Sequence, residues 1–84
     1  MKIGVKILPR SEVLDSQGRA VEKTLAHHEK QVDSVRVGKY VQLEFHDLKQ
    51  DQALVRAREI AEFVLVNPLI ESYVLEVVTE ESGA

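Results

Sequence analysis

The chain contains no cysteine and no tryptophan, and among its 84 residues it has only two prolines, four glycines and four aromatic side chains. Without cysteine there is no disulfide, no thiolate metal site and no thiol nucleophile, and a reducing, cytoplasmic setting is the expectation. No apolar run approaches the ~20 residues a membrane span requires. The N-terminal "MKIGVKILP" alternates rather than forming an apolar block, and no small-residue cleavage site follows it, so a signal peptide is not expected. Cations are not in excess either: 11 Lys and Arg stand against 14 Asp and Glu, scattered along the chain, for a net charge of -3. The basic stripe of a nucleic-acid binder is missing, and the few aromatics argue against an RNA-stacking sheet.

What is present is a balance of 44% hydrophobic and 30% charged residues, too apolar for disorder and suited to one small domain spanning residues 1–79. A chain of this size buries only roughly 60–65% of its unfolded surface, which favours association with other chains. Residues 2–8 alternate, with Ile3, Val5 and Ile7 on one face, and Pro9 follows as a stop. Asp15 is placed to cap a helix that opens at Ser16 and runs to about Glu29, with Ala20, Val21, Thr24, Leu25 and His28 as its inward stripe. Gly18 in its first turn costs about 1 kcal/mol relative to alanine, so something must come close to the backbone there.

Val35, Val37, Val41, Leu43 and Phe45 all fall on odd positions, so the period of two keeps its phase through Gly38. A two-residue hairpin at 38 and 39 would break that phase, whereas a three-residue turn or one long strand bent at Gly38 preserves it, and the long bent strand is favoured because glycine inside a strand commonly marks such a bend. A second helix starts near Asp51 as its cap, with Leu54, Ala57, Ile60, Ala61, Val64 and Leu65 at helical spacing. Asn67 and Pro68 end it. The last strand, residues 70–79, is apolar on both faces, one for the helices and the other for a second subunit, and residues 80–84 read as a flexible polar tail. The result is an α+β fold in the order β-α-β-α-β, an antiparallel or mixed sheet with two helices on one face. The long middle strand suggests a dimer with exchanged segments.

Chemistry is scarce. His27 and His28 are adjacent and cannot chelate together on a helix, His46 stands alone, and no metal site is expected. No serine has a nucleophile-elbow context, and the glycines are too scattered to cradle phosphate, although Gly18 near a helix start could offer N–H groups to an anion. Arg36 and Lys39 read as an exposed basic pair at the bend. These residues describe a small binding or assembly domain with no active site of its own.

Three stretches, "VLDSQG", "VRVGK" and "NPLIESY", occur together and in this order, and in that combination the chain resembles the PurS family, the small subunit of phosphoribosylformylglycinamidine (FGAM) synthase. The resemblance covers about residues 2–78. It implies a non-catalytic subunit that brings together a synthetase, PurL, and a glutamine amidotransferase, PurQ, for ammonia transfer in ATP- and glutamine-dependent FGAM formation. It further implies that ATP and magnesium belong to PurL, that this subunit binds no cofactor, and that it self-associates as a dimer or tetramer. The family pattern falls on Asp15, Gln17 and Gly18, on Arg36, Gly38 and Lys39, and on Asn67, Pro68, Ile70 and Glu71, as subunit-contact or turn positions. Gly18 then lets a subunit or a neighbouring loop approach the helix start, and Gly18→Leu is expected to weaken the complex more than it lowers the melting temperature. Ser16 departs from the family's usual proline, Ser72 from an acidic or amide residue, and "HHEKQ" lacks the glycine common after the first helix. A small metabolite-sensing α+β domain with a ligand at a dimer interface is the alternative.

Overall fold

A computed structural model describes residues 1–79; the predicted tail, 80–84, lies outside the described residues. The order is β1 (Lys2–Pro9), α1 (Ser16–His27), β2 (Lys39–Glu44), α2 (Gln50–Ile60) and β3 (Glu71–Val78). The three strands form one sheet in the order β2-β1-β3, antiparallel throughout. The sheet centres on β1 because the β1 residues on its inner face have the strongest apolar alternation. Ile3, Val5 and Ile7 are buried, flanked by Val41 and Leu43 from β2 and Tyr73 and Leu75 from β3. Pro9 ends β1 as expected, as the last residue of the strand, opposite Glu71.

α2 seats on this face through alanines. Ala53, Ala57 and Ala61 are fully buried, and their small side chains let the helix backbone come down onto β1 and β3. The helix starts one residue after Lys49, whose N–H donates to the Gln52 side chain, so Asp51 is not the cap. It lies in the first turn, where its charge still favours the helix dipole. The helix leaves through a π turn, Ala61–Leu65, closed by the Val66 N–H donating to the Ala61 carbonyl at 2.9 Å. One residue more per turn rotates the apolar stripe. Leu65 and Val66 face the core, and Val64, predicted to point inward, is 68% exposed.

α1 behaves differently from the stripe read in the sequence. Only Gly18 is buried among its residues; Ala20, Val21, Thr24 and His28 are exposed, and Leu25 is half-buried. The inner face of the sheet is occupied by α2, and α1 is held at its first turns by the segment leading into β2. α1 ends at His27, two residues short of the expectation, in a Schellman turn. The Lys30 N–H donates to the Leu25 carbonyl and the Glu29 N–H to that of Ala26, with Glu29 at φ 57°. Glu29 thus occupies the left-handed position that glycine usually fills.

The middle strand is six residues long, not a strand running from Val35, and the ladder to β1 begins only after Gly38. The reason lies in where the backbone N–H groups go. Val35 and Val37 donate to the Glu22 and Asp15 carboxylates of α1 at 2.8 Å each, so this part of the chain is bonded to side chains rather than to a neighbouring strand.

Candidate functional site

Asp15, just ahead of α1, accepts from two directions. One carboxylate oxygen caps the helix through the Gly18 N–H (2.9 Å), and the other takes the Val37 N–H (2.8 Å). These two N–H groups, helped by the Arg36 guanidinium, hold its carboxyl below the ordinary aspartate value against the opposing effect of burial. The single side chain therefore joins the first and second of the three stretches, which the sequence separates by some twenty residues. Because the carboxylate fills the helix start, the N–H groups around Gly18 are not left open to an outside anion.

Gly18 is explained by the same joint. A Cβ there would overlap the Val35 carbonyl oxygen and the Asp15 carboxylate. What comes close to the helix is the chain's own segment, the neighbouring-loop alternative rather than a second subunit. Gly38 answers to the same requirement one step further on, where a Cβ would overlap the Ile7 carbonyl of β1. Arg36, between them, donates to the Pro9 carbonyl at the end of β1.

The third stretch closes the arrangement from the other side. Asn67 makes the turn into β3: its side-chain oxygen accepts from the Leu69 N–H (3.1 Å), and its carbonyl accepts from Ile70 and Glu71. Its own N–H donates to the Glu71 carboxylate at 2.8 Å, while Lys39 pairs with the other Glu71 oxygen at 3.7 Å. Pro68 presents its carbonyl to the Arg10 guanidinium at 2.9 Å. Arg10 and Glu22 are the residues that sequence reasoning missed. Glu22 sits one helical turn after Gly18 and was findable from that spacing, whereas nothing local marks Arg10.

Asp15, Gln17, Gly38, Lys39, Ile70 and Glu71 consequently line one shallow groove at the Pro9 end of the sheet, of about 340 Å³. Arg36 and Gly18 lie in the joint behind it, and Asn67 and Pro68 in the turn at its rim. Its carboxylates are committed: Asp15 to two backbone N–H groups, Glu71 to Asn67 and Lys39. Exposed apolar side chains line it as well, Leu14 (67%) and Ile70 (44%), and Leu69 (84%) is exposed in the turn that leads into β3. Such a surface suits contact with another polypeptide better than acid–base chemistry on a small substrate. Among the described residues no three His, Asp or Glu side chains converge in a way that would hold a metal ion, and no helix is long and apolar enough to cross a membrane.

Comparison with known proteins places this geometry. The family model described as PurS: Phosphoribosylformylglycinamidine (FGAM) synthase matches residues 2–79. A curated relative, the phosphoribosylformylglycinamidine synthase subunit PurS of Thermotoga maritima, is 30% identical over 73 residues, covering 86% of this chain and 89% of that protein. Among solved structures, B. subtilis PurS superposes with a TM-score of 0.71 at 37% identity, over 89% of this chain and 94% of that one. A chain in the structure of PurLQS from Thermotoga maritima superposes with a TM-score of 0.81 at 29% identity, over 89% and 93%.

Proposed function

The chain belongs to the PurS family, and from that membership we propose that it is the small subunit of FGAM synthase, a carbon–nitrogen ligase of purine biosynthesis that takes its amide nitrogen from glutamine. The observation that carries the proposal is the likeness, over nearly the whole chain, to a subunit seen in a PurLQS assembly. The partners are accordingly PurL and PurQ. The site agrees with a docking role, since the three stretches that mark the family meet at one exposed joint whose carboxylates are tied up within the chain. In this reading ATP and magnesium are held by PurL, this subunit binds no cofactor, and the complex works in the cytoplasm. The ten residues around the joint serve as turn or contact positions, with Asp15, Gly18, Arg36 and Gly38 shaping the surface that Gln17, Lys39 and Ile70 present.

Self-association is part of the same proposal, and the shape of the single chain supports it. Its radius of gyration is 16.0 Å, where a compact 84-residue domain has about 12 Å. Its accessible surface is 6612 Å², against about 5,000 Å² for a compact monomer of this mass. The excess, roughly 1,500 Å², is enough for an interface of ordinary size. A small metabolite-sensing domain is not favoured, because the likeness to PurS spans residues 2–79.

The test is glutamine-dependent FGAM formation by the cognate PurL and PurQ with and without this chain. Activity that appears only on its addition, while ammonia-dependent synthesis by PurL changes less, is the expected result. Glutamine-dependent activity that is the same without the chain overturns the proposal.

A further inference from the structure

The start of β2 is tied to the far side of the sheet from both faces. Lys39 and Tyr40 are its first two residues, opposite Ile7 and Lys6 of β1, and the pleat turns them to opposite faces. On the inner face Lys39 reaches past β1 to Glu71 of β3, but at 3.7 Å and with its side chain more than half in water this is a weak tie. On the outer face, away from α2, the Tyr40 hydroxyl donates to Glu76 of β3 at 2.8 Å, and Lys6 holds the other oxygen of the same carboxylate at 3.0 Å. A bond from a phenol to an ionised carboxylate belongs to the stronger kind. The Tyr40 hydroxyl and the Lys6 ammonium accordingly keep the Glu76 carboxyl below the ordinary glutamate value, against the opposing effect of desolvation.

Gly4 makes this reach possible. Tyr40 stands opposite Lys6 while Glu76 stands opposite Gly4, so the phenol ring crosses β1 diagonally, over the Gly4 backbone. A Cβ at residue 4 would overlap the ring carbons and the hydroxyl oxygen. Glycine weakens the interior of a strand, and β1 is the central strand of the sheet, so a gap at this point costs stability unless something fills it.

We propose that Tyr40, Glu76 and Lys6 form a strap over Gly4 that positions Gly38 and Lys39 at the groove. These two residues join the segment held by Asp15 and Glu22 to the ladder of β2, and among the described residues β2 pairs with β1 alone. Without the strap, this corner is held to β3 by the long Lys39–Glu71 pair. Tyr40 is thus a positioning residue of the contact surface. The inference rests on the docking role proposed above and extends it to Gly4, Lys6, Tyr40 and Glu76, none of which lies in the three stretches that mark the family.

Backbone hydrogen exchange tests the strap directly. Met1 and Phe45 exchange both backbone bonds, at 2.8 and 2.9 Å, so Lys39 and Val41, in phase with Phe45, donate their N–H groups to β1. Val74, in phase with Ile70, which accepts from the Arg10 N–H, reports on the ladder between β1 and β3. Tyr40→Phe keeps the ring and deletes the bond. Its Lys39 and Val41 amides are expected to exchange about tenfold faster than in the wild type, with Val74 nearly unchanged. Gly4→Ala, which strand propensity alone would favour, is expected to speed the same two amides by displacing the ring, and adding Tyr40→Phe to it to change little more. In glutamine-dependent FGAM formation with PurL and PurQ, Tyr40→Phe should need about tenfold more chain for half-maximal activity and reach the same maximum. Equal acceleration of Lys39, Val41 and Val74 in Tyr40→Phe, or none at all, overturns the strap; should Gly4→Ala fail to fold, Tyr40→Phe decides alone. A wild-type chain that does not activate PurL and PurQ overturns the docking role and leaves the exchange measurement to decide the strap.

Discussion

Single residues carry much of the joint between α1 and the rest of the chain, and Asp15 is the clearest case. Its folded carboxyl lies below the ordinary aspartate value, so the stabilisation from its two N–H bonds is fully present above about pH 4 and is lost as pH falls through the folded-state value. Acid unfolding followed by circular dichroism should therefore be shallower for Asp15→Asn than for the wild type below pH 4, with the variant the less stable of the two at neutral pH. Gly18→Ala should lose about 1–3 kcal/mol in urea unfolding, because the new methyl group meets a backbone carbonyl that cannot swing aside. This revises the expectation for Gly18→Leu: the isolated chain and the complex should weaken together, since the contact is within the chain. Glu29→Gly should act in the opposite direction, raising stability by about 1 kcal/mol through relief of a left-handed backbone position, read as a rise in Tm.

The second helix shows how one local irregularity changes which side chains form the core. Regular spacing from Ala57 and Ala61 points to Val64, but the π turn moves the inward position on to Val66. Val64→Lys should consequently leave the Tm of the isolated chain nearly unchanged, whereas Val66→Ala should cost about 1–3 kcal/mol in denaturant unfolding. The middle strand fell short of its predicted length for a different reason. Its alternation is real from Val35 onward, yet within one chain the first four residues have no strand to pair with, and the Glu22 and Asp15 carboxylates take the N–H groups of Val35 and Val37. Alternation in sequence reports which faces are apolar; it does not report whether a neighbouring strand exists.

At the scale of the molecule, the exposed stripe of α1 and the large radius describe a chain that is incomplete by itself. Its Tm should rise with protein concentration across the micromolar range, as it does when association contributes to the folded state. A concentration-independent Tm, measured by differential scanning calorimetry, would argue for a self-sufficient monomer. The resemblance in three short stretches led to the family and its partners before any geometry was known. The groove around those stretches was not legible in the same way, because Asp15, Lys39 and Glu71 come from three separate parts of the chain.

The sequence by itself determined the element order, the inward face of β1, the helix-capping role of Asp15 and the need for something close to Gly18, because each depends on neighbours within a turn or a strand. Only the tertiary structure decided what that something is, where α1 stands, how far β2 extends and which valine ends the α2 core. Those outcomes rest on backbone hydrogen bonds and steric contacts between residues distant in the chain, and nothing in local periodicity encodes them.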